Sequence, residues 1–205
     1  MTAYPVHYSV ERPPQFTRFQ LVVRILAFML LGIFGLSLGT AFFAAYLALP
    51  VLAAVRLSRG RDPAAYLAED GPRVLRALRW FAAVFAWFGL VADSLPDREP
   101  DETVHVDIEP SGHPAPAAAL WRVLLGLPSA FVLSLLGMIG GLVWLWAAVT
   151  VLRHERMGEG AFAYLAGLQR WTIRLLAYQA SMVAAYPPFS FEEPPPPLPA
   201  ARTAR

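Results

Sequence analysis

Two long uncharged runs dominate the chain, one between Arg24 and Arg56 and the other between Arg122 and Arg153. Each exceeds the ~20 apolar residues that a single transmembrane helix needs. Before each run lies a short alternating stretch, HYSVE at 7–11 and HVDIE at 105–109, whose period of two predicts a strand. After each run comes a segment with arginines at helical spacing, GPRVLRALRWF from Gly71 and LQRWTIRLLAY from Leu168. The same order of strand, apolar run and amphipathic helix therefore occurs twice.

Individual residues follow the same scheme. His7 and Glu11 align with His105 and Glu109, Arg24 with Arg122, Arg56 with Arg153, and Arg79-Trp80 with Arg170-Trp171 after a connection six residues shorter. This order predicts a tandem duplication, with a first membrane repeat at 1–96 and a second at 103–191. An acidic, Pro-containing linker at 97–102 separates them, and a Pro-rich disordered tail at 192–205 closes the chain.

A single straight helix from Arg24 to Arg56 would measure about 46 Å, against a hydrocarbon core of about 30 Å. Gly39 and Gly137 lie near the midpoints of the two runs, where glycine eases a tight turn. The expectation is a hairpin in each run, with spans of 19–38, 40–56, 119–136 and 138–153; one long helix per run is the alternative. Hairpins would gather Arg18, Arg24, Arg56, Arg59 and Arg61 on one side, as the positive-inside rule favours. Glycines at 32, 35 and 39 also suit close helix packing.

The segment from Ala161 to Tyr186 is apolar but carries Arg170 and Arg174 one turn apart. Each would cost about 2.5–3.5 kcal/mol at the centre of a spanning helix. An interfacial helix avoids that cost, with guanidiniums at the phosphates and Trp171, Tyr178 and Tyr186 at headgroup depth. The same reading of the first-half helix keeps both predicted strands on one face, where they can pair with each other and with FSFEE. The predicted class is an all-α integral membrane protein of two repeats, each a strand, a transmembrane hairpin and an interfacial helix, with a possible small cytoplasmic β-sheet.

Composition agrees: 57% of residues are hydrophobic and 16% charged, where an average soluble domain has roughly 25% charged. The polar, Pro-rich opening MTAYPVHYSVERPP carries no signal-peptide pattern, so none is expected. With no cysteine, thiolate chemistry and disulfides are absent. A net charge of +2 does not point to nucleic acid, and all 17 basic residues are arginine. No carboxylate, His or Lys sits within the uncharged runs, which disfavours coupled transport. His7 and His105 lack a third ligand for metal, His154 suits a solvated basic loop, and no cofactor is expected. The aligned arginine and aromatic residues form the candidate site for anionic headgroups: Arg76, Arg79, Trp80, Arg170, Trp171, Arg174 and Tyr186. Simple anchoring is the plainer role for them.

Arg170-Trp171, Arg174, Tyr178 and then YPPFSF resemble the ending of an uncharacterised bacterial and archaeal membrane family, domain of unknown function 4389. The resemblance covers nearly the whole chain as two copies, the second better matched through Tyr186, Pro187, Pro188 and Phe189. Ala184 and Ala185 stand where the family usually has an acid, while the first half keeps Asp93 but has Ala83 in place of the second arginine. One half thus retains a carboxylate and the other a guanidinium; independent drift of each copy is the plainer reading, and an Asp93–Arg174 contact across the interface between the halves is the alternative. The resemblance implies no activity. The uncharged runs and the arginine pattern, with the bacterial membrane family resembled, lead to an expected location in a bacterial inner membrane, multi-pass, with both termini cytoplasmic. The expected function is a non-enzymatic scaffold or accessory subunit, with a membrane-protein partner or homo-oligomer; lipid binding or lipid transport is the alternative, with membrane lipids as partners.

Overall fold

The second apolar run yields the longest element. In the computed structural model, which describes residues 4–60, 62–97, 100 and 104–192, helix α5 runs unbroken over Pro116–His154, 39 residues. Proline at its first turn costs no hydrogen bond, and Glu155 ends it in the left-handed conformation (φ 56°). The hairpin expected at 119–136 and 138–153 is therefore corrected. Gly137 sits inside the helix with open space around its Cβ position. An interior glycine weakens a helix by only about 1 kcal/mol, whereas a turn there would strip several backbone groups of their partners among apolar side chains.

The first run does break, between α1 (Arg18–Ile33) and α2 (Leu38–Ser58). The break falls at 34–37, not at Gly39. Gly35 supplies the left-handed residue (φ 67°), and Ser37 and Thr40 form a reciprocal capping box that starts α2. The two helices do not fold back on each other. Arg18 pairs with Glu155 (3.3 Å), Phe28 lies edge-on to Trp144 (5.5 Å), Tyr46 donates to the Val123 carbonyl, and Ala53, Ala54 and Leu57 cluster with Ala119. Numbers rising on one strand of pairs and falling on the other mark a broken rod, α1 then α2, antiparallel to α5. Arg18 and Arg153 thus lie at one end of that pair, and Arg56 near Ala119 at the other. The one-sided arginine cluster expected from positive-inside reasoning is corrected accordingly; Arg61 lies outside the described residues.

A short turn α3 (Pro63–Ala65) and one π-turn (Tyr66–Asp70) lead into α4 (Gly71–Phe88). Helix α6 spans Glu159–Gln179. Strands β1 (Val6–Ser9) and β2 (His105–Ile108) pair antiparallel, as expected, with Tyr8 opposite Val106 and His7 opposite Asp107. FSFEE adds no third strand among the described residues. Most of the linker at 97–102 and the tail beyond 192 lie outside those residues.

The elements stack in layers. The rods α1–α2 and α5 form one layer, α4 and α6 the next, and the sheet lies on the far side of α4 and α6. The interfacial placement of α6 is corrected here: Leu165, Trp171, Ile173 and the residues on to Gln179 are buried, enclosed by α5, α4, α2 and β1. Large apolar side chains are instead uncovered on α1, α2 and α5. Helices α2 and α5 are both long and apolar enough to cross a membrane.

Glycine substitutions along α5 should separate continuity from close packing. Gly137→Ala is expected to raise thermal stability in detergent, by about 0.5–1 kcal/mol from helix propensity. Gly126→Ala should lower it by about 1–3 kcal/mol, because its Cβ would meet Gln179 Nε2 at 2.2 Å and Tyr46 Oη at 2.8 Å.

Candidate functional site

The layers are joined by buried guanidinium groups. Arg24 leaves α1 fully enclosed, its Nη2 donating to the Ala92 carbonyl (2.8 Å) and its guanidinium 5.1 Å from the Trp87 ring. Arg122 leaves α5 half-buried on a matching path: Nη1 donates to the carbonyls of Tyr178 (2.6 Å) and Val183 (2.7 Å), and its guanidinium lies 4.4 Å from the Tyr178 ring. Counting 98 residues on from Arg24 reaches Arg122, and 91 on from Trp87 and Ala92 reaches Tyr178 and Val183. The helix ends match too. Leu90 (φ 61°) and Ser181 (φ 58°), again 91 residues apart, are both left-handed. Each precedes a donor that reaches back five residues, Val91 N–H to Ala86 and Met182 N–H to Ala177. This Schellman-type ending turns the chain so that the following carbonyls face the arginine.

Two further arginines cross between the halves. Arg79 of α4 donates through Nε to Val106 of β2 (2.8 Å), and Arg170 of α6 donates through Nε to Tyr8 of β1 (3.1 Å). Val106 and Tyr8 are the aligned strand residues, and they face each other in the sheet. The Tyr8 hydroxyl donates to Gln169 Oε1 (2.6 Å), and Gln169 Nε2 donates to the Phe85 carbonyl (2.8 Å). Burial pushes the Tyr8 phenol well above its ordinary range, so it stays a donor.

The segment after α6 folds back along that helix as a strap. Tyr186 packs on Tyr178 (5.5 Å), Phe189 edge-on to Trp171 (5.2 Å), and Phe191 over Gly167, where a Cβ would come within 2.7 Å. Pro187 and Pro188 have no N–H, so the strap cannot join a sheet as a normal strand. Its carbonyls take donors from side chains instead: Arg170 Nη1 to Phe191, Arg174 Nη1 to Ser190 (3.1 Å) and Arg174 Nη2 to Glu192 (2.7 Å). Tyr186 Oη and Ser129 Oγ lie 2.7 Å apart and bind the strap to α5.

The proposed headgroup ligands therefore do not share one open surface. Arg76 is exposed, Arg79, Trp80 and Arg170 are half-buried, and Tyr186 is partly exposed, while Trp171 and Arg174 are 3% and 1% exposed. The Asp93–Arg174 pair is also corrected. Asp93 accepts from Thr17 N–H (2.9 Å) and Thr17 Oγ1, and its backbone carbonyl lies near Arg24. The residues that sequence reasoning undervalued are Arg24, Arg122, Gln169 and Gln179. The last donates to the Arg122 carbonyl (2.9 Å). The visible signal was a lone arginine at the same offset in each half.

Residues 116–190, from the start of α5 through the strap, match the model of a family described as Domain of unknown function (DUF4389). No curated protein and no solved structure matches the chain.

Two tests address the helix end and its lock. Ser181 is strained by its positive φ, and its buried hydroxyl has no hydrogen-bond partner among the described residues. Ser181→Gly is expected to stabilise by about 1 kcal/mol, read as a higher melting temperature. The Tyr66 hydroxyl donates to the Ala180 carbonyl (2.7 Å), and burial, then Asp70, pushes its phenol up to about 12. Since the folded value lies above the ordinary one near 10, its stabilisation is whole below pH 10 and is lost as pH rises toward 12. Tyr66→Phe should remove that part of the alkaline stability loss, measured by denaturant melts across this range.

Proposed function

We propose that the chain is a non-enzymatic membrane scaffold or accessory subunit, held at a bacterial cytoplasmic membrane and built from two tandem copies of one unit. The duplication reading is supported by the matched contacts at offsets of 98 and 91: Arg24 with Arg122, Trp87 with Tyr178, Arg79 with Arg170. A membrane location is supported by the length and hydropathy of α2 and α5 and by the uncovered apolar side chains of the rods.

The observation that carries the scaffold reading is the direction of the guanidiniums. Arg24, Arg122, Arg170 and Arg174 all donate to carbonyls of the protein itself, so they hold elements together instead of facing a ligand. The lipid-headgroup reading has less support, because two of its central members, Trp171 and Arg174, are enclosed. Tyr4 and Ala185 adjoin, with the Tyr4 hydroxyl donating to the Ala185 carbonyl (3.2 Å), which supports placing the two ends of the described chain on one side of the membrane.

Purification of the full chain in mild detergent, followed by mass spectrometry of bound protein and lipid, tests this. A stoichiometric protein partner is the expected outcome. Retained phospholipid without any protein partner would overturn the scaffold reading in favour of a lipid carrier.

A further inference from the structure

We propose that the protein is embedded face-on in one leaflet, with α1, α2 and α5 lying along the plane of the bilayer and the sheet standing in water. This rests on the membrane reading above and assigns acyl chains of a single leaflet to the uncovered face of the rods.

The height of the sheet along α5 carries the inference. Its holding bonds come from Arg79 and Arg170, which sit at the middles of α4 and α6. Helix α6 runs antiparallel along α5: Tyr164 donates to the Leu136 carbonyl, and Gln179 Nε2, fifteen residues on, donates to the Arg122 carbonyl, fourteen residues back. The sheet therefore stands level with the middle of α5. An upright α5 centred in the bilayer would hold His105, Asp107 and Glu109, all exposed, at mid-depth. It would also place both open edges of a two-stranded sheet in hydrocarbon, where unpaired backbone groups are not tolerated. Turning the rods into the membrane plane removes both conflicts at once.

The apolar face fits that orientation. On α5 the exposed side chains Leu124, Phe131, Leu135, Leu142 and Val149 recur at helical spacing on one side of the helix. From Leu120 to Leu152 the uncovered stripe extends about 48 Å at 1.5 Å per residue. That exceeds the ~30 Å core available to an upright helix but is unrestricted in the plane.

The break in the rod is compatible with a lipid-facing layer. Ile33 and Phe34 are 78% and 71% exposed, and Leu36 is exposed beside them. Yet the N–H groups of Phe34, Gly35 and Leu36 donate to Leu31, Gly32 and Leu31, and those of Ser37 and Thr40 to each other's hydroxyls. Such closure lets the turn face acyl chains, where an open backbone group would have no water to bond.

The chain has no cysteine, so single spin labels can be placed at Leu124→Cys, Leu135→Cys, Leu142→Cys and Val149→Cys, with Phe34→Cys on the turn and Asp107→Cys on the sheet. All six are surface positions, which spares the core, and Phe34 offers a readout that does not depend on α5. In vesicles of phosphatidylethanolamine and phosphatidylglycerol, depth is read from relaxation by oxygen against a water-soluble nickel chelate. The four α5 labels are expected at one common depth within one leaflet, with the Phe34 label immersed and the Asp107 label in water. A depth profile that passes through the bilayer centre, leaving Leu124 and Val149 in opposite leaflets, would overturn the proposal while leaving the membrane reading intact. Labels shielded from both relaxants and coupled between molecules would overturn it in favour of a second copy on this face. Failure of the chain to stay with vesicles on flotation would instead refute the membrane reading itself.

Discussion

A guanidinium group removed from bulk solvent must still give its hydrogen bonds to something, and most of this architecture follows from what it finds. In this chain the acceptors are backbone carbonyls left over where helices end and where proline interrupts pairing. Arg24 and Arg122 take those just past α4 and α6; Arg170 and Arg174 take those of the strap. Charge-assisted bonds to carbonyls are stronger than neutral ones, and the planar fork lets one side chain serve two acceptors. An arginine of this kind ties its helix to a segment that has no regular secondary structure of its own.

Aromatic rings complete each of these ties. Trp87 and Tyr178 lie beside Arg24 and Arg122, and Tyr8 and Tyr4 beside Arg170 and Arg174. A ring face attracts the cation without needing a donor or acceptor, which suits a guanidinium whose edge is already in use. Arg24 depends most on this arrangement, since its Nε and Nη1 have no hydrogen-bond partner among the described residues.

Much of this could be read from the chain in advance. The uncharged runs became α1, α2 and α5, the alternating stretches became paired strands, and the arginine–tryptophan spacing marked two comparable helices. Three features could not be read. At Gly137 local propensity favours a turn and says nothing about the packing that lets a helix continue through it. For Arg170 and Arg174 the local sequence offers no acceptor other than water or phosphate, whereas the strap 186–192 provides carbonyls that become neighbours only after folding. The path of α1 and α2 along α5 depends on distant contacts such as Phe28 with Trp144, which no local pattern encodes.

The exchange of holding bonds between the halves has a consequence for synthesis. Strand β1 is made well before its partner strand β2, and the arginine that seals it, Arg170, lies 162 residues beyond Tyr8. At roughly 5–20 residues per second, translation alone imposes a delay of about 8–30 s before that clasp can close. During this interval the nascent first half presents a raw strand edge and apolar helices with nothing to cover them, a state that rewards early capture by a membrane or a chaperone.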